Sequence, residues 1–169
     1  MTETPVAGFA IRKATAADVP LILRFIRELA EYEQLLDEVK ADEAQLARTL
    51  FGERLTAEVL IGEYQDEPAG FALFFQSYST FLGKPGLYLE DLYIRPELRG
   101  LGLGKAMLSH LASIAVARDC GRLEWLGLDW NRQAIDFYRK LGAVPMDEWT
   151  VQRVAGHALQ KLAGHARVG

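Results

Sequence analysis

The stretch EDLYIRPELRGLGLGK, residues 90–105, holds two adjacent carboxylates and three alternate glycines. Gly100, Gly102 and Gly104 follow Arg99, and glycine lets a backbone turn tightly enough to bring successive N–H groups around an anion. The apolar run that starts at Leu103 sets a helix N-terminus directly behind them, and Arg99 adds positive charge at the mouth. Glu90 and Asp91 stand ahead of the loop in a strand-like run. Neighbours in a strand point to opposite faces, so one of the pair is expected to face any site unless a bulge intervenes.

The spacing excludes two familiar anion loops. A dinucleotide fingerprint needs a third glycine where Met107 stands. A nucleoside triphosphate loop needs a serine or threonine after its lysine, but Ala106 follows Lys105, and Arg99 occupies the position five residues before Gly104. Read alone, the glycines also fit a plain surface turn that begins a helix.

The flanking pattern supplies the elements that must position this loop. FAIRKA (9–14) predicts a short strand, and TAAD (15–18) a capping box before a helix over about 18–34 with Leu21, Phe25, Leu29 and Tyr32 as its apolar stripe. Glu28, Glu31 and Glu33 gather near the end of that helix, where acids oppose its dipole. A second helix is expected over 42–50, then strands over 57–64, 69–77 and 87–94, with a DEP turn after the first and a GKPG turn at 83–86 before the last. The continuous apolar content of 69–77 suggests a strand covered on both faces. A helix over 103–118, a strand over 122–128, a helix over 132–140 capped by Asn131 and ended by Gly142, a last strand over 149–154 and a weak terminal helix complete the order. Trp130 and Trp149 read as packing residues. Strands followed by alternating strands and helices imply a mixed, mostly antiparallel twisted α/β sheet flanked by helices.

The chain has 169 residues, the size of one domain, here taken as 1–169 with a core of about 9–155 and a short C-terminal extension. Its net charge of −4, from 23 acidic and 19 basic residues without a basic cluster, argues against a nucleic-acid surface and for a cationic partner. No basic leader or bilayer-length apolar run is visible, so no membrane partner is expected and the location expected is cytoplasmic. The single cysteine, Cys120, permits no internal disulfide and reads as an inert, partly buried thiol, while His110, His157 and His165 show no ligand spacing, so no metal is expected.

With its preceding strand, RGLGLGK resembles the acetyl-coenzyme A pyrophosphate loop of the GNAT N-acetyltransferase superfamily. There an arginine or glutamine is followed by two arbitrary residues, glycine, one arbitrary residue, and glycine or alanine, as in Arg99, Gly102 and Gly104. The blocks IRKATAADVPLILRFIRELAEYE, LYLEDLYI, RGLGLGKAML and DWNRQAIDFYRKLGA are similar to those of its diamine (spermidine/spermine) and thialysine branch. The resemblance runs from residue 10 to about 162 and is strongest over 87–143.

It implies the GNAT acyltransferase fold and transfer of an acetyl group from acetyl-CoA to a primary amine of a small cation, directly through a ternary complex. Leu92, Tyr93 and Ile94 would offer backbone hydrogen bonds to the pantetheine arm. Arg99, Gly100, Leu101, Gly102, Leu103, Gly104 and Lys105 would cradle the pyrophosphate. Asn131 and Tyr138 would approach the thioester, with Tyr138 as the acid for the departing thiolate. Tyr32 and Glu33 match a YE pair that contacts the polyamine in relatives, and a homodimer is the family expectation.

An alkylammonium has a pKa near about 10 and must lose a proton before it attacks. Glu90 is the favoured base, with Asp91 in support and Glu148, beside Asp147, aligning approximately with an acidic segment that binds the amine in relatives. The competing readings are acetylation of protein lysine, an N-terminal amine or an aminoglycoside, and a noncatalytic acyl-CoA-binding protein. Without the resemblance, Tyr138 beside Phe137 would read as a packing aromatic.

Overall fold

In the computed structural model, which describes residues 1–166, six strands form one sheet in chain order. They are β1 (Thr2–Glu3), β2 (Phe9–Lys13), β3 (Glu58–Tyr64), β4 (Glu67–Ser79), β5 (Lys84–Ile94) and β6 (Leu123–Trp125). β1 to β5 pair antiparallel, and β6 joins β5 in parallel. A parallel junction requires a crossover, which α3 (Leu103–Ala117) provides. The chain divides into two compact units, Met1–Leu126 and a second from Gly127 onward.

Within the first unit, α1 (Val19–Tyr32) and α2 (Glu43–Phe51) cover one face of the sheet. Phe25 is fully buried and stacks on Phe71 with ring centres 5.7 Å apart, then meets Tyr93 at 5.8 Å. Val59, Ile61, Phe71 and Tyr93 therefore mark the α1 face, joined by Leu46 and Leu50 of α2. The start of α1 is fixed by charge as well as by packing. Arg12 of β2 donates to both oxygens of Asp18 at 2.8 Å and to Glu63 of β3 at 2.7 Å. Asp18 also accepts the Thr15 N–H at 2.7 Å, which closes the capping box read from TAAD.

The opposite face is covered by α3, whose Met107, Leu108 and Leu111 are buried. At Gly62 an added Cβ would stand 2.7 Å from the Phe9 ring and 3.5 Å from the Met107 sulfur, so a larger residue there would displace the Phe9 ring.

The second unit holds α4 (Arg132–Lys140) and α5 (Gly156–Ala163) and, among the described residues, no strand. The expected strand at 149–154 is therefore absent. Strand propensity needs a ladder partner to be expressed, and none pairs with WTVQRV. Trp130 and Trp149 are exposed rather than packed. The strand expected over 122–128 shortens to three residues, and the GKPG signal misplaces the turn. Lys84, Pro85 and Gly86 already pair with Ser79, Tyr78 and Ser77, and the bend falls at Gly83 with φ 62°. β4 is buried on both faces only in its first half, since Gln76 and Tyr78 are exposed. The last residues of the expected C-terminal extension, 167–169, lie outside the described residues.

Candidate active site

The site begins with a break in register. Along β4 the pairing steps one residue, from Leu73 to Phe74, while along β5 it steps two, from Asp91 to Leu89. Glu90 is the extra residue of a β-bulge, which abolishes the simple alternation of faces. Asp91 lies opposite Leu73, which packs against the α1-side core, two residues from Tyr93 of that core. Beyond the bulge Tyr88 takes over that face, stacked on Phe75 with ring centres 5.0 Å apart. Glu90 acts on both neighbours. Burial first, then the charges of Glu90 and Glu124, raises the Tyr88 phenol.

Asp91 is the buried member of the acidic pair. Burial, then Glu90 and then Glu33, pushes its carboxyl up to about 6. Glu33, the C-terminal cap of α1, is itself raised by burial. Glu90 of β5 and Glu33 at the end of α1 thus both act on Asp91, in a place that favours either a proton or a cation. The bulge is the exception under which Glu90 and Asp91 need not point to opposite faces. Glu28, one turn earlier in α1, hydrogen-bonds the Tyr93 hydroxyl, which burial and this contact push up to about 12.

β6 pairs with β5 only from Leu87 to Leu89. Among the described residues, no strand continues the sheet beside Glu90–Ile94 on that side, so one backbone edge of Leu92, Tyr93 and Ile94 has no strand partner. The glycine loop follows at the end of this edge. Gly100 and Gly102 take φ of 83° and 87°, which L side chains rarely adopt, and nothing stands within 4 Å of an added Cβ at Gly100. Leu103 is buried and anchors the start of α3, while Leu101 and Lys105 are exposed. The first helical bond runs from the Ala106 N–H to Gly102 at 3.0 Å, so the amides of 103–105 have no acceptor within the helix. These amides and left-handed glycines fit an anion.

Arg99 does not stand out at the loop mouth as the sequence suggested. Its Nε donates to the Ile94 carbonyl at 3.1 Å, and its guanidinium lies 4.3 Å from the Tyr32 ring centre and 5.9 Å from that of Tyr93. Sequence reading found each of these residues but not their association, because Tyr32 and Arg99 are far apart in the chain.

In the second unit, Asn131 caps α4 by accepting the Ala134 N–H at 3.2 Å. The Tyr138 ring lies 5.6 Å from that of Phe137, and an added Cβ at Gly127 would stand 3.7 Å from it. Asp147 and Glu148 are exposed. Among the described residues, no group of three or more His, Cys, Asp or Glu side chains is arranged to hold a metal ion, and no helix is long and apolar enough to cross a membrane.

A profile of the acetyltransferase (GNAT) family matches residues 23–143, a span that contains most of α1, all of β5, the glycine loop and α4. The chain belongs to the GNAT acetyltransferase family. Among GNAT relatives, a thialysine N-epsilon-acetyltransferase from Bos taurus is 41% identical, with 91% of this chain and 96% of that protein covered. An L-ornithine N5-acetyltransferase from Arabidopsis thaliana is 34% identical, over 90% of this chain and 86% of the relative. An integron cassette protein from the mobile metagenome of V. cholerae has a TM-score of 0.77 at 28% identity, covering 92% of this chain and 98% of its own. The GNAT fold and the thialysine and diamine branch read from the sequence both hold.

Proposed function

We propose that this GNAT protein transfers the acetyl group of acetyl-CoA to a primary amine of a small cationic acceptor, of the diamine, polyamine or thialysine class. The observation that carries the reading is the action of Glu33 and Glu90 on Asp91, on a strand whose edge has no strand partner and leads into the glycine loop. The thialysine and ornithine acetyltransferases among its relatives support the same class. Acetyl-CoA supplies the acetyl group as an activated thioester. The strand edge of Leu92, Tyr93 and Ile94 would hold the extended arm, and the amides from Gly100 to Lys105 the pyrophosphate, since the Arg99 amide already donates to the Pro96 carbonyl at 3.2 Å.

Glu33 and Asp91 hold the acceptor's ammonium charge in a partly dry setting, where a carboxylate attracts it more strongly than in water. Glu90 then takes a proton from the attacking nitrogen, directly or through one water, and the freed amine attacks in a ternary complex without a covalent enzyme intermediate. Tyr138 would donate its phenolic proton to the departing thiolate, and Asn131 would approach the thioester, as the resemblance implies. Glu148 is an outer contact for the acceptor. A specific observation favours a second assignment of the base. A carboxyl pushed up to about 6, as in Asp91, is well matched to proton transfer near neutrality.

The chain acts as one acetyltransferase domain and as a homodimer, as the family resemblance implies. The substrate class is tested by following thiol release from acetyl-CoA with thialysine, ornithine, putrescine, spermidine, aminoglycosides and lysine peptides. Highest kcat/KM is expected among the small diamines and diamino acids. Preference for a lysine peptide would replace the small-amine reading with protein acetylation, and cofactor binding without product would favour a noncatalytic binder.

A further inference from the structure

The face of Tyr32 is already taken by a cation from within the chain. Tyr32 ends α1 beside Glu33, and the guanidinium of Arg99 lies 4.3 Å from its ring centre, with Tyr93 flanking at 5.9 Å. An aromatic ring next to carboxylates is how proteins hold alkylammonium groups. Arg99 is held there by the two rings and one hydrogen bond to the Ile94 carbonyl, and its side chain reaches the surface. It is also the first residue of the loop that opens onto the amides of α3, which makes it the nearest arginine in the chain to an anion seated there. A planar guanidinium pairs with phosphate oxygens through two charge-assisted bonds, a stronger partnership than an exposed ring face.

We infer that Arg99 is a positioning residue that couples the two substrates: in the free protein it covers the Tyr32 face, and an anion in the glycine loop draws it away and bares that face for the acceptor's ammonium. The inference rests on the proposed function, which seats a pyrophosphate in this loop and an ammonium beside Glu33. Coupling of this kind is reciprocal, so the acceptor also tightens donor binding by the same factor. Its size is bounded by the stack that must be displaced, which corresponds to about two- to fivefold in affinity for an exposed cation on a ring.

The test is calorimetric titration of the full chain with thialysine, and with putrescine as a second probe, each in the absence and presence of saturating coenzyme A. For the native sequence, coenzyme A should tighten acceptor binding about two- to fivefold. Arg99→Gln, which keeps a residue type the loop pattern accepts, should bind the acceptor about two- to fivefold more tightly than the native chain without coenzyme A. It should gain nothing further when its own directly measured coenzyme A site is saturated. A merely structural role for Arg99 would instead weaken the acceptor. Tyr32→Phe should retain the coupling, and Tyr32→Leu should lose both the coupling and part of the affinity, which gives an independent result if Arg99→Gln folds poorly.

The inference is overturned if Arg99→Gln binds the amine no more tightly than the native chain, or if coenzyme A leaves the native affinity unchanged while acetyl transfer proceeds. A native chain that neither binds nor acetylates any amine removes the proposed function itself, and this inference with it.

Discussion

Glu90, the extra residue where β5 bulges, adds its charge to that of Glu33 on the neighbouring carboxyl of Asp91. The proximity has a thermodynamic consequence. Folding raises the Asp91 carboxyl from 3.8 to about 6, so the native state binds this proton more tightly than the unfolded chain does. Stability must then fall as pH rises from about 4 to about 6, and the full penalty persists above that range. Asp91→Asn is expected to stabilise the free protein at neutral pH by about 1–3 kcal/mol, with the gain shrinking towards zero below about pH 4. Denaturant titrations of both proteins across that range check the sign.

The same pair sets a kinetic expectation. If Glu90 takes the proton, Glu90→Gln lowers kcat/KM at neutral pH by about 10²-fold or more and recovers part of it at high pH, where more amine is already neutral. If Asp91 is the base, the acidic limb near about pH 6 disappears in Asp91→Asn and survives in Glu90→Gln. The two pH–rate profiles separate these assignments.

Tyr138→Phe keeps the ring against Phe137 and removes only the phenolic proton. Coenzyme A affinity should be nearly unchanged while kcat falls about 10²-fold or more under conditions where chemistry limits turnover. Native kcat in this variant would remove Tyr138 from the acid role.

Asp18 gives a test of the scaffold that is independent of catalysis. Its paired Arg12, then the Thr15 bonds, hold it near about 2 against burial, so its contribution is present above about pH 4 and lost as pH falls through about 2. Asp18→Asn should cost about 1–2 kcal/mol at neutral pH, discounted for the partial exposure of Arg12, and almost nothing near about pH 2. Urea midpoints at the two extremes measure the difference.

Much of this architecture was legible because its signals are local. Asn131 and Gly142 bracket α4 in the sequence and in the structure, where Gly142 has φ 89°, and the apolar run after the glycines marks α3. The glycine loop was readable for the same reason, since Gly100 and Gly102 declare a left-handed backbone. What escaped depends on partners distant in the chain. The bulge at Glu90 exists only in relation to the register of β4, and the Arg99–Tyr32 stack joins residues from different elements. Trp149 and Val151 alternate with polar residues as a strand would, yet alternation supplies no partner for the ladder.

The most direct measurement of the central claim is transfer itself, with acetyl-CoA carrying a labelled acetyl group and thialysine as acceptor. The expected result is one labelled amide on the amine for each thiol released, with transfer reduced in Glu90→Gln. Thiol release without a labelled amide, or bound acetyl-CoA that stays intact with every amine supplied, would contradict an amine N-acetyltransferase.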